Sequence, residues 1–278
     1  MMKKVARIVG GVFLGAVLAF ALSRRDAVAG VRTGEAGTPV VVMVELFTSE
    51  GCSSCPPADE VLTKLMSTQP IPGVIVVGLG EHVDYWDRLG WRDPFSSASL
   101  TSRQSQYGAN VFRTGSVYTP QMVIDGRLEG VGSDFGTIRK AVLEAAKVPK
   151  AALMLSARRD NDGVSIDLHV ERPANVALKE PADVTVAITE DRLVTEVRRG
   201  ENRGRTLRHT AVVRSLMTVG ALTPADSTLT KSVSSALEHE WKPENLRIVA
   251  FVQERQSRRV VGVGAVALAA AGEQRPLH

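Results

Sequence analysis

Cysteine is scarce in this chain: 278 residues contain two, Cys52 and Cys55. A bridge between positions three apart constrains the unfolded chain by only roughly 2 kcal/mol in the loop-entropy model, which weighs against a purely structural staple. Zinc normally takes four ligands, and with no second cysteine pair and no histidine pair no metal is expected. Polybasic and aromatic-interleaved stretches are also missing, so nucleic acid is not an expected partner. No internal repeat is present, and helical periodicity nearly vanishes after residue 150.

The basic balance of the whole chain, a formal net charge of +4, has a local origin. Lys3, Lys4 and Arg7 form a basic n-region, residues 8–23 an apolar run, and Ala27-Val28-Ala29 a small-residue cleavage site before Gly30. This pattern reads as a secretory signal peptide, residues 1–29. Removing it takes away five basic residues and one acid, Asp26, and leaves 29 of each sign. The sixteen-residue run is short for a membrane span. The expected location is therefore the periplasm or exterior of a bacterium, with no stable span after cleavage. An uncleaved anchor is the lesser alternative, because Arg24-Arg25-Asp26 charges the cleavage region.

About 249 residues remain, a length that suits two domains, residues 30–150 and 151–278. In the first, the β-branched run 40–47 reads as a strand and Cys52-Ser53-Ser54-Cys55 as the turn after it. Pro56 and Pro57 suit a helical first turn. Ala58, Val61, Leu62, Leu65 and Met66 then form one face of a helix, with Asp59, Glu60 and Lys64 on the other. The continuous apolar run 74–79 reads as a buried second strand and completes a βαβ unit. Residues 81–115, with Trp86 and Trp91, read as an inserted helical segment. A strand entered through Thr119-Pro120 and left by Asp125-Gly126 follows, then a helix at 134–147. After residue 150, short β-rich runs separated by turns argue for an antiparallel β-sandwich of immunoglobulin or fibronectin type.

A dithiol between a strand and a helix puts Cys52 at a helix N-terminus, where the dipole and free N–H groups favour the thiolate, the attacking species. Thr119-Pro120, in the same predicted domain, is expected to be cis and to set a backbone loop against the dithiol. Such a loop offers an edge to a peptide partner. Glu45 is unusual in an apolar strand, because burying a carboxylate is costly. His82, Asp84 and Asp87 could be metal ligands, but the plainer reading is a hydrogen-bonded strand end supporting the tryptophan-rich segment. Residues 198–205, Arg-Arg-Gly-Glu-Asn-Arg-Gly-Arg, read as a solvated hairpin.

Residues 38–148 resemble a thioredoxin-fold domain, through Cys52-Ser53-Ser54-Cys55 and Thr119-Pro120. More narrowly, residues 44–59, His82-Val83-Asp84-Tyr85-Trp86-Asp87 and Tyr118-Thr119-Pro120-Gln121-Met122 resemble the exported bacterial family catalogued as domain of unknown function 1223. The implied fold is an α/β thioredoxin-like N-terminal domain with an inserted helical segment, followed by the β-sandwich. The resemblance also implies that Cys52 attacks, Cys55 resolves and Glu45 accepts a proton, although an offset of one residue would turn Glu45 to the other face of its strand, and a helix-capping or surface position is the alternative. The pair encloses Ser-Ser, where thioredoxin has Gly-Pro, and no tryptophan precedes Cys52.

The expected activity is thiol-disulfide exchange with protein dithiol or disulfide substrates and an upstream redox partner, without a cofactor. A non-enzymatic envelope binding module with a structural disulfide is one alternative. A copper carrier using both thiols, with His82 as a further ligand, is the other.

Overall fold

The computed structural model describes residues 39–160 and 163–268. The targeting segment expected at residues 1–29 lies outside the described residues. The first half contributes β1 (Val40–Thr48), α1 (Pro56–Thr68), β2 (Val74–His82), α2 (Ala98–Tyr107), β3 (Gln121–Ile124), β4 (Leu128–Val131) and α3 (Phe135–Ala145). The second contributes β5 (Ala152–Arg159), β6 (Gly163–Glu171), β7 (Ala182–Glu190), β8 (Leu193–Glu196), β9 (Thr206–His209), β10 (Val212–Leu222), β11 (Thr228–Ala236), β12 (Leu246–Glu254) and β13 (Val260–Ala267).

β1 is rich in valine and buried on both faces, as its unbroken apolar run dictates. It pairs in parallel with β2 over its whole length and antiparallel with β3, which places Gln121 opposite Phe47. Even-numbered side chains of β1 (Val42, Val44, Leu46) meet Ala58, Leu62 and Leu65 of α1 and Ile138 and Val142 of α3. Gly78 of β2 lets α1 lie close, since a Cβ there would stand 2.4 Å from Met66 Sδ and 2.9 Å from Leu62 Cδ1. Odd-numbered side chains, Val41 and Met43, face a second core with Leu79, Leu100, Phe251 and Val263. α1 ends where Gln69 adopts a left-handed conformation and its amide bonds the backbone of Met66 and Val76.

Strand order corrects the expected fold class. The molecule does not divide into a thioredoxin-like α/β domain and a separate β-sandwich. It is mostly β, with one eight-stranded mixed sheet in the order β13-β12-β7-β10-β2-β1-β3-β4. Half of those strands come from each side of residue 150. The junction is a parallel bridge between Val212 of β10 and Gly80 of β2, with Gly80 N–H donating to Ala211 C=O at 2.7 Å. A three-stranded sheet, β11-β6-β5, packs over the β7-β12 region and shares its core, and β8 and β9 form a separate hairpin. The physical reason for the difference is that alternation and β-branching reveal strands but not their partners. The free edge of β2 presents unpaired backbone groups, and β10 covers part of it.

Candidate functional site

Cys52 and Cys55 are joined in a disulfide, with Cα atoms 5.4 Å apart. Cys55 is the residue before the first turn of α1, and its C=O accepts from Ala58 N–H at 2.8 Å and Asp59 N–H at 3.2 Å. Both cysteines are fully buried, whereas Ser53 and Ser54 between them are exposed. The cover comes from the loop joining β8 to β9. Asn202, itself fully buried, donates from Nδ2 to Glu50 C=O at 2.8 Å and Cys52 C=O at 2.9 Å. Glu201 accepts from Ser53 N–H at 3.0 Å, which holds its carboxyl below the usual range. Gly200, at φ 75°, packs against Trp91, where a Cβ would approach the Trp91 Cβ to 3.0 Å. The stretch read as a solvated hairpin thus docks on the dithiol. Its arginines and glycines look solvent-bound in sequence, and the asparagine that anchors it carries no apolar signature.

A buried polar cluster lies beside the dithiol. Glu50 accepts from Trp91 Nε1 at 2.7 Å and lies 3.1 Å from His209 Nε2, while its N–H donates to Asp93 at 2.8 Å. The other nitrogen of His209 lies 3.4 Å from Asp59 Oδ1, and Thr48 donates to Asp59 Oδ2 at 3.2 Å. Burial by itself would lower the His209 pKa, but hydrogen bonds to Asp59 and Glu50 outweigh it and raise it to about 10. His82, the last residue of β2, bonds Asp93 through Nδ1 at 2.7 Å. Burial would raise the Asp93 carboxyl, yet His82 and two backbone N–H groups hold it below the usual value.

The i, i+4 spacing from Cys55 sets Asp59 on the same face of α1 as the resolving position. The expectation that Asp59 lies on the outer face with Glu60 and Lys64 is therefore corrected: it is 8 % exposed. The His209 end of β9 covers it, and nothing local in α1 announces that. The spacing of an acid one turn after Cys55 was the available signal; for Glu50, His209 and Asn202 none was.

The other predicted residues fall in two places. The Thr119–Pro120 peptide is cis and leads directly into β3, alongside the end of β1. Thr119 Oγ1 accepts from Trp86 Nε1 at 2.8 Å, and Pro120 C=O from Gly132 N–H at 3.0 Å. Glu45 points to the opposite face of β1 from α1. It is fully buried and held by Arg103 Nε at 2.7 Å and Tyr107 Oη at 2.6 Å, so it is not brought together with the cysteines. Asp84 accepts from Thr101, and Asp87 from Ser96 and the Asp93 N–H; these bonds organise the tryptophan-rich segment.

A family model described as protein of unknown function (DUF1223) matches residues 43–253. The chain belongs to that family. Within the DUF1223 match lie the dithiol, the cis-proline loop, the buried cluster and the covering loop, so the site combines residues from most of the family's length. Among solved structures, the protein AGR_C_4864 of Agrobacterium tumefaciens is 30 % identical, with a TM-score of 0.61. The alignment covers 87 % of this chain and 100 % of that one. HBP35 of Porphyromonas gingivalis is 14 % identical with a TM-score of 0.64, over 88 % of this chain and 81 % of that one, and shares the fold. No curated protein matches the sequence. No helix among the described residues is long and apolar enough to cross a membrane.

Proposed function

We propose that this DUF1223 protein acts in the bacterial cell envelope by thiol-disulfide exchange with protein partners through Cys52 and Cys55. The observation that carries the reading is the pairing of the chain's two cysteines at the start of α1 with a buried carboxylate, Asp59, one turn further on. In the reductive direction the Cys52 thiolate attacks a partner disulfide, and one partner thiolate leaves. Cys55, deprotonated with Asp59 as the proton acceptor, then attacks Cys52 Sγ and expels the second partner thiolate. The Cys52–Cys55 bond forms and two electrons pass to the partner; oxidation of a partner dithiol is the reverse sequence. Exchange requires the loop carrying Glu201 and Asn202 to lift, and Thr119–Pro120 supplies backbone beside the incoming chain.

The zero exposure of both sulfur-bearing residues favours a second reading, a locked disulfide in a binding module. The two separate in glutathione buffers of graded potential with alkylation and mass detection, alongside insulin reduction by the wild type and Cys52→Ser. A reduction potential above about −300 mV with Cys52-dependent turnover supports exchange; a lower potential without such turnover sinks it.

A further inference from the structure

We propose that Asp59, His82 and His209 form a binding site for a divalent first-row transition-metal ion, supplying one carboxylate oxygen and two imidazole nitrogens. One donor atom from each lies within 4.8 Å of the others, and all three residues are buried. They come from α1, β2 and β9, so the trio exists only in the folded chain.

Two further observations point to a ligand. The first is an orphan: His82 Nε2 is buried and has no hydrogen-bond partner, although the side chain is only 1 % exposed. A buried polar atom left unpaired is costly. Asp93 accepts from the N–H groups of Glu50 and Phe95, so His82 Nδ1 donates to it at 2.7 Å, and Nε2 is left facing its surroundings without a partner. The ring stands 4.8 Å from that of His209, nearly perpendicular to it.

The second observation is the outer arrangement. Metal-bound histidines usually donate their remaining N–H to a carboxylate, which fixes the tautomer and orients the ring. Both rings here have that partner, His82 through Nδ1 to Asp93 at 2.7 Å and His209 through Nε2 to Glu50 at 3.1 Å. This leaves His82 Nε2 and His209 Nδ1 as the donors, with Asp59 opposite the latter at 3.4 Å. The ion bonds His209 through Nδ1, beside Asp59, and puts two positive charges among the carboxylates of Glu50, Asp59 and Asp93. Drawing the donors in to metal–nitrogen distances of about 2.0–2.1 Å requires small inward shifts of the rings. Two imidazoles and a carboxylate suit zinc or iron(II) and leave coordination positions open.

The test uses the full protein with its disulfide closed, so that neither thiol competes. After chelator treatment, titration with Zn2+ and with Co2+ should saturate at one ion per chain, the Co2+ form showing ligand-field bands of low coordination number. His82→Asn keeps an N–H near the Nδ1 position for Asp93 and removes Nε2, which bonds nothing in the protein, together with the ring that packs against Phe95 and His209. It should still fold, with a somewhat lower metal-free melting temperature, and bind at least about 100-fold more weakly; Asp59→Asn, which also loses a charged partner of His209, should weaken binding to the same extent. Glu50→Gln and Asp93→Asn should each weaken binding by about 10- to 100-fold. Absence of stoichiometric uptake by the wild type overturns the proposal. So does a folded His82→Asn or Asp59→Asn that binds Zn2+ with wild-type affinity.

Discussion

Two buried charge clusters sit on opposite faces of the β1–β2 pair. On the face away from α1, Glu45 and Glu81 share Arg103, which also bonds Gln253 and Tyr107. On the dithiol side, Glu50, Asp59 and Asp93 share His82 and His209. The first cluster is neutralised by a guanidinium that does not titrate; in the second the charge lies on an imidazole, His209, that does. Their chemistry differs accordingly. In the arginine cluster one guanidinium faces two carboxyls, and burial pushes Glu81 well above the usual range, more than the neighbouring Arg103 pulls it down. In the histidine cluster the positive charge is exchangeable, a proton or a cation. One cluster is built to hold two halves of a sheet together, the other to change state.

Removing the guanidinium should have the largest effect. Arg103→Met leaves two buried carboxyls without their cation, and breaking a buried pair typically costs about 3–5 kcal/mol. Urea unfolding should show that loss at pH 7.

The histidine cluster should respond to pH in a way the arginine cluster does not. His209 has a folded-state pKa raised to about 10 from 6.5. Its contribution is fully present below pH 6.5 and is lost as pH rises through about 10. His209→Gln should therefore lower stability by about 1–3 kcal/mol at neutral pH and abolish the decline between those two values in denaturation curves. Arg103→Met should retain that decline; if both variants lose it, the two clusters are coupled and the comparison fails.

The smallest effect is local. Asn202→Ala removes the cover's anchor, so Glu50 C=O loses its donor and Cys52 C=O keeps only its bond from Cys55 N–H. About 1.4 kcal/mol of easier loop opening corresponds to roughly tenfold faster reduction of Cys52–Cys55 by a small thiol. Equal rates in the wild type and variant would mean that the loop does not gate the disulfide.

What the sequence revealed was local. The elements around residues 40–79, the cis Thr119–Pro120 bond and the dithiol at the start of a helix follow from β-branched runs, prolines and spacing. The eight-stranded sheet was hidden, because the Val212–Gly80 bridge joins positions with no periodicity in common. Glu45 was noticed for being an acid in an apolar strand, but its side of the sheet depends on strand parity, and its partner Arg103 belongs to another element. His209 is the plainest case. It ends a four-residue strand with exposed neighbours, and its burial is decided by α1 and β2 from the other half of the chain.

Asn202 lies 150 positions after Cys52, the residue whose carbonyl it covers. In a chain that emerges in order, Cys52 and Cys55 precede their cover, so both stay open to oxidants until the later segment folds back over them. Thiols enclosed before they meet an oxidant then exchange only as often as that loop lifts.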